Sequence, residues 1–163
     1  MDASLWTNAA IDPGNATMYL QYSTDDGTAT GQGWLLAVDL HARAPPVKHK
    51  LAKTTPELSQ PVVFQGALYG WVGGPGSGQQ RLFKLEIGTG DAADTGVTLP
   101  GYMVAESVRA AAGQPAGTYL TSGSLDGAKK GAYIATFSVA DPRIVSTVDV
   151  VQPYWFLCPN PAS

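Results

Sequence analysis

The chain has almost no cysteine: Cys158 is the single one in 163 residues. An internal disulfide framework is excluded, and a cysteine-rich metal site has no second thiolate to draw on. Charge is scarce as well. Charged residues make up 14% of the chain, where globular proteins average about 25%. Ten basic and 13 acidic side chains leave a net charge of −3, and the largest local cluster of cations is Lys48, Lys50 and Lys53. Such a sparse basic surface argues against a nucleic-acid partner. No segment approaches the roughly 18 apolar residues that a membrane-spanning helix needs, so membrane insertion is not expected. The opening residues lack a basic stretch followed by an apolar run, so a soluble chain is expected. Helical periodicity is missing too, because glycine or proline interrupts every window that would place apolar residues on one helical face. Even the alanine-rich stretch from Tyr102 to Ala112 reads as extended.

What the chain has instead is punctuation. Nineteen glycines and 12 prolines divide short apolar runs at regular spacing, the pattern of an all-β domain. Within that pattern Tyr19, Tyr69 and Tyr119 recur at intervals of 50 residues, a period typical of propellers and solenoids. A turn signal precedes each tyrosine: Asp12-Pro13-Gly14-Asn15, Gln65-Gly66 and Gly113-Gln114-Pro115-Ala116. A glycine-containing connection follows each, and then a third strand, Trp34 to Leu40, Arg81 to Ile87 and Ala132 to Val139. Aligning Val38, Leu85 and Phe137 matches these third strands. A fourth short strand closes each unit, at Val47 to Leu51, Gly96 to Leu99 and Ile144 to Val150.

Four consecutive antiparallel strands at this period describe one propeller blade. A β-sandwich is the alternative, but it gives no reason for one strand pattern to recur three times. The expected fold is therefore all-β and β-propeller-like, with about three four-stranded antiparallel blades plus the start of a fourth. The whole of residues 1–163 is expected to form a single domain, with repeats near 5–53, 59–100 and 102–151 and a further strand beginning at 153–158. Three blades do not readily close a ring, so a copy of the chain, another protein or the remainder of a longer protein is expected to cover exposed sheet faces.

The segment from Gly66 to Gly73, followed by Leu82 to Gly90, resembles the blades of quinoprotein-type and lactonase-type propellers. There a tyrosine strand precedes a glycine turn and a strand that ends in an acidic residue and a Thr-Gly turn. The likeness extends to Leu36–Leu40 and Tyr133–Pro142. It implies a fold and carries over no cofactor or metal ligand.

Residues with chemistry are few. His41 and His49 stand eight apart with Asp39 as the only nearby acid, which falls short of a zinc set. Ser124 sits in Gly123-Ser124-Leu125-Asp126-Gly127, where the strand-to-helix setting of a nucleophile elbow is missing. Gly73 to Gly78 lead into a strand rather than a helix, so they read as a hairpin tip and not a phosphate cradle. Asp25-Asp26-Gly27 and Asp91 with Asp94 do not follow the spacing of a calcium loop, and turn-forming aspartate explains them. Among the tryptophans, Trp34 and Trp71 are expected in the core, while Trp6 is open to stacking on a ligand. Asn15-Ala16-Thr17 fits the N-glycosylation pattern at an exposed turn, a slight lean towards a secreted setting.

No catalytic residue and no cofactor or metal site is expected. The leading expectation is a non-enzymatic binding or assembly module that recognises another protein chain or a further copy of itself. Tyr154, Trp155, Phe156 and Leu157 are its contact residues, since four large apolar side chains in a row cannot all face one side of a strand. The alternative is part of a propeller enzyme or a carbohydrate-binding lectin whose site is completed by other segments.

Overall fold

In the computed structural model the described residues are 3–24, 32–52, 54–73, 80–99, 108–125 and 131–150. They form twelve strands, with no helix among them. The first sheet runs in the order β1 (Ala3–Asp12), β2 (Thr17–Thr24), β3 (Gln32–Asp39), β4 (Val47–Lys50). The second runs β5 (Ser59–Phe64), β6 (Ala67–Val72), β7 (Gln80–Glu86), β8 (Ala92–Leu99). The third comprises β9 (Arg109–Ala110), β10 (Thr118–Leu125), β11 (Gly131–Ser138), β12 (Arg143–Val150), again in sequence order. The pairings β1–β2, β2–β3, β3–β4, β5–β6, β6–β7, β9–β10, β10–β11 and β11–β12 are antiparallel. Three four-stranded meanders in succession follow the plan of propeller blades. The proposed start of a fourth, at 153–158, lies outside the described residues.

The turns that make these hairpins were marked by their residues. Phe64 pairs with Ala67, leaving Gln65 and Gly66 as a two-residue loop with φ of 47° and 78°. Positive φ at both central positions is the type I′ geometry that matches strand twist. At the turn between β1 and β2, the Asp12 carboxylate accepts the Gly14 N–H at 2.9 Å and the Asn15 side-chain oxygen accepts the Thr17 N–H at 3.1 Å. These local bonds satisfy backbone donors that the ladder leaves over.

The three tyrosines occupy the second strand of each sheet. Tyr19 stands opposite Ala10 and Ala37, Tyr69 opposite Val62 and Lys84, and Tyr119 opposite Ala110 and Phe137. The register corrects one alignment. Val38 and Leu85 stand opposite Met18 and Leu68, each one residue before its tyrosine, whereas Phe137 stands opposite Tyr119 itself. Ser138, opposite Thr118, is the true equivalent. A shift of one residue moves a side chain to the other face, so Phe137 joins the tyrosine face and its ring lies 5.8 Å from that of Tyr119.

The chain divides into two compact units, residues 1–73 with 81–97, and residues 74–80 with 98–163. In the first unit the tyrosine face of the first sheet packs on the opposite type of face in the second sheet. Ala10, Tyr19 and Leu35 meet Leu51, Leu58, Leu68 and Leu85 in one buried cluster. Full burial of each leucine contributes about 1.5–3 kcal/mol. The first strands, β1 and β5, lie against one another.

Leu58 is the fixed point of this packing. It is fully buried, and its N–H donates to the side-chain oxygen of buried Gln21 at 2.9 Å. The Gln21 amide nitrogen in turn donates to the Pro56 carbonyl at 3.2 Å. Gly70 makes the room: a Cβ there would stand 2.7 Å from the Leu58 Cβ. Gln32 ties the same connection from the other side, donating to the Leu51 carbonyl at 2.8 Å. Thus two buried glutamines satisfy the backbone where the chain passes from the first sheet to the second, as buried polar groups require.

β8 begins earlier than its sequence implies. Ala92 to Thr95 look like turn residues, yet they lie in the strand because Arg81 pairs with the Asp94 carboxylate at 2.8 Å and the Thr95 hydroxyl donates to the Leu82 carbonyl at 2.7 Å.

Candidate binding surface

The third sheet, in the second unit, has two unlike faces. Alternation along β10 and β11 puts Tyr119, Thr121, Tyr133, Ala135 and Phe137 on one face, and Thr121, Tyr133, Ala135 and Phe137 are buried. Tyr133 is fully buried, and burial pushes its phenol up to about 12. Burial raises the Tyr119 phenol as well. The Tyr133 hydroxyl and the Thr121 hydroxyl have no hydrogen-bond partner among the described residues.

The opposite face is where the apolar surface lies open. Leu120 is 37% exposed, Ile134 46% and Val148 61%. The register sets Ile134 directly between Ser122 and Val148, and Thr136 between Leu120 and Ser146. Three strands therefore contribute one apolar side chain each, bordered by small hydroxyl residues and by exposed Arg109, which stands opposite Leu120. In the second sheet, by contrast, β6 is buried along Ala67 to Trp71, on both faces.

The residues singled out for chemistry do not converge. His49 is in β4 opposite Leu35, half-buried, while His41 is exposed in the turn after β3. Asp39 serves that turn: the backbone N–H groups of Ala42 and His41 hold its carboxyl below the usual range. Asp94 is likewise lowered, first by the Gly96 N–H and then by Arg81. Among the described residues no group of three or more His, Cys, Asp or Glu is arranged to hold a metal ion. Ser124 lies inside β10 opposite Ala132, not on a turn. Trp71 is fully buried; Trp34 is half-buried, and its ring N–H donates to the Thr24 hydroxyl at 3.1 Å. Trp6 is in β1. Asn15 is exposed in the turn between β1 and β2.

Tyr154, Trp155, Phe156 and Leu157, the expected contact residues, lie outside the described residues, as do Asp25, Asp26, Gly27 and 74–79. Sequence reasoning passed over Leu120, Ile134 and Val148. Their signal was there: Tyr133 and Ile134 are large apolar neighbours in one strand, so both faces of the sheet carry apolar side chains.

No protein-family model matches this chain. No curated protein matches it either. Two solved structures are similar. The fold is β-propeller-like, with three blade-type sheets. A serine-to-alanine variant of the AtxE2 isopeptidase with astexin3-dC4 bound has a TM-score of 0.50 and 12% identity, over 83% of this chain and 19% of that one. The β-propeller domain of the trilobed protease from Pyrococcus furiosus, of open velcro topology, has a TM-score of 0.48 and 12% identity, over 95% of this chain and 44% of that one. The chain thus spans less than half the length of either. At such identity the isopeptidase likeness bears on fold alone.

Proposed function

We propose that this chain is a non-enzymatic binding or assembly module of propeller type, which recognises another protein or completes a larger propeller. The observation that carries the reading is the open apolar face of the third sheet, with Leu120, Ile134 and Val148 exposed in adjacent strands. Apolar side chains that cluster on one face, rimmed by Ser122, Thr136 and Ser146, have the composition of a surface built to be covered. The second sheet supplies the comparison, since the side chains of β6 are buried from Ala67 to Trp71. In the same reading Tyr154 to Leu157, which follow β12 in sequence, add apolar contact area, and the finer likeness to quinoprotein-type and lactonase-type blades describes the kind of neighbouring sheet that would fit. A second reading, part of a propeller enzyme or lectin, draws on the small share of the isopeptidase that the chain spans, 19%.

The test is site-specific photo-crosslinking in cells, with a photoreactive amino acid at position 134, at position 120, and at exposed Ala42 as control. The binding reading expects one discrete protein adduct from 134 and 120 and none from 42. Equal labelling at all three positions, together with hydrolysis of isopeptide or fluorogenic peptide substrates, would overturn it in favour of the second reading.

A further inference from the structure

Charge is spread unevenly along this chain. Residues 40–56 hold four lysines and arginines and no carboxylate, in a chain of net charge −3, so the remainder carries −7. Pairing is uneven too. Arg81, Lys84 and Arg143 each meet a carboxylate, whereas Arg43, Lys48, Lys50 and Arg109 meet none among the described residues.

The two lysines of β4 stand at the end of an apolar face. The ladder sets Lys50 opposite Trp34 and Trp34 opposite Tyr22; it sets Lys48 opposite Leu36 and Leu36 opposite Leu20. Residues opposite one another share a face, so each lysine heads a row of large apolar side chains. The adjacent row is Val38, Met18 and Ile11. Trp34, Leu36, Leu20, Val38 and Met18 are half-buried, while Ile11, Lys48 and Lys50 are exposed. No carboxylate stands in these rows. Asp12 and Asp39 are opposite Thr17 on the other face, the one that carries Tyr19 and Leu35 into the cluster with the second sheet. The Asp39 carboxylate is taken up by the His41 and Ala42 N–H groups. Val47 and His49 also alternate to that other face.

We infer that this face of the first sheet binds an acidic segment of another protein, one that brings carboxylates to Lys48 and Lys50 and apolar side chains to Leu36, Leu20 and Met18. The inference takes its class of partner from the binding reading above but uses a different sheet. Two residues along a strand span about 6.6–6.8 Å, so carboxylates at alternate positions of an extended segment reach both ammonium groups. The lysine stems lengthen the apolar rows and keep their charged ends in water. Charge complementarity favours a short acidic segment over a long polyanion: beyond residues 40–56 the chain is net negative and repels a sulfated polysaccharide or a nucleic acid. Such polyanions also leave the apolar rows without a counterpart, which a segment mixing acidic and apolar residues supplies.

The test is fluorescence anisotropy with a labelled peptide that repeats aspartate, leucine, aspartate and phenylalanine. The parent chain should bind it. Neutralising both exposed lysines, Lys48→Gln with Lys50→Gln, should weaken binding by roughly 2- to 30-fold, since two surface ion pairs are lost. Arg109→Gln removes a like charge from the third sheet and should leave the affinity unchanged. Peptides with asparagine for aspartate, or with serine for leucine and phenylalanine, should both bind more weakly. No binding by the parent chain, or equal weakening by Arg109→Gln and by the lysine pair, would overturn the inference. So would a serine-substituted peptide that binds as well as the first, together with tighter binding of heparin, which would mark a polyanion site. Photo-crosslinking from position 134 reports separately on the third sheet: a discrete adduct there without peptide binding leaves the binding reading standing while this inference falls.

Discussion

Replacing Gln21 with methionine keeps the length of the side chain and removes both of its hydrogen bonds. The structure sets the expected loss. The Leu58 N–H is left buried and unpaired, at a cost of about 1–3 kcal/mol, and the Pro56 carbonyl loses a bond worth about 0.5–1.5 kcal/mol. A total of about 2–4 kcal/mol lowers the melting temperature of a chain this size by roughly 4–16 °C. Gly70→Ala should destabilise by a different route, since its Cβ would stand 2.7 Å from the Leu58 Cβ; overpacking of this kind costs about 1–3 kcal/mol. Both substitutions act on Leu58, so their effects should not add: the double variant should depart from the sum by at least about 0.5 kcal/mol. Differential scanning calorimetry, with urea titration at constant m-value, measures all three. A Gln21→Met chain within about 0.5 kcal/mol of the parent would refute the view that this glutamine holds the first sheet to the second.

Tyr133→Phe should be neutral or stabilise by up to about 1 kcal/mol, because it removes a buried hydroxyl without a partner among the described residues; a loss greater than about 1 kcal/mol in urea unfolding would show that the hydroxyl is bonded. The same residue makes the chain sensitive to alkali. Its phenol is raised from 10.0 to about 12 in the folded state, so below pH 10 it has no effect. As pH rises from about 10 to 12 the unfolded chain ionises first and stability falls, by at most about 1.4 kcal/mol per pH unit. Phenolate absorbance should show Tyr133 titrating above the ordinary tyrosine range, and Tyr133→Phe should lose this part of the alkaline destabilisation; an identical alkaline profile for both chains would count against the assignment.

Much of the architecture is legible in local chemistry. Gln65-Gly66 specifies a two-residue hairpin because only certain residues accept positive φ in succession, and the tyrosines recur because each repeat places one in the second strand. What escapes a linear reading depends on partners distant in sequence. Nothing around Gln21 reveals that its amide will meet Pro56 and Leu58, more than 30 residues away. The start of β8 was obscured because Asp94 and Thr95 are turn formers until Arg81 and Leu82 supply partners across the ladder. Phe137 drew the third repeat out of step by one residue, since it was matched to Val38 and Leu85, while the register puts it beside Tyr119. The open face of the third sheet was hidden for a related reason. Apolar residues on both sides of a strand read as a buried core strand, and only the folded chain distinguishes buried Tyr133 from exposed Ile134.

Coverage of that face in the cell is the central claim, and rapid hydroxyl-radical footprinting measures it directly, comparing the purified chain with the same chain in its native cells. The account predicts that Leu120, Ile134 and Val148 are labelled in the purified chain and protected in cells, while exposed Leu40 and Val47 are labelled alike in both. Equal labelling of Leu120, Ile134 and Val148 in the two settings would contradict it.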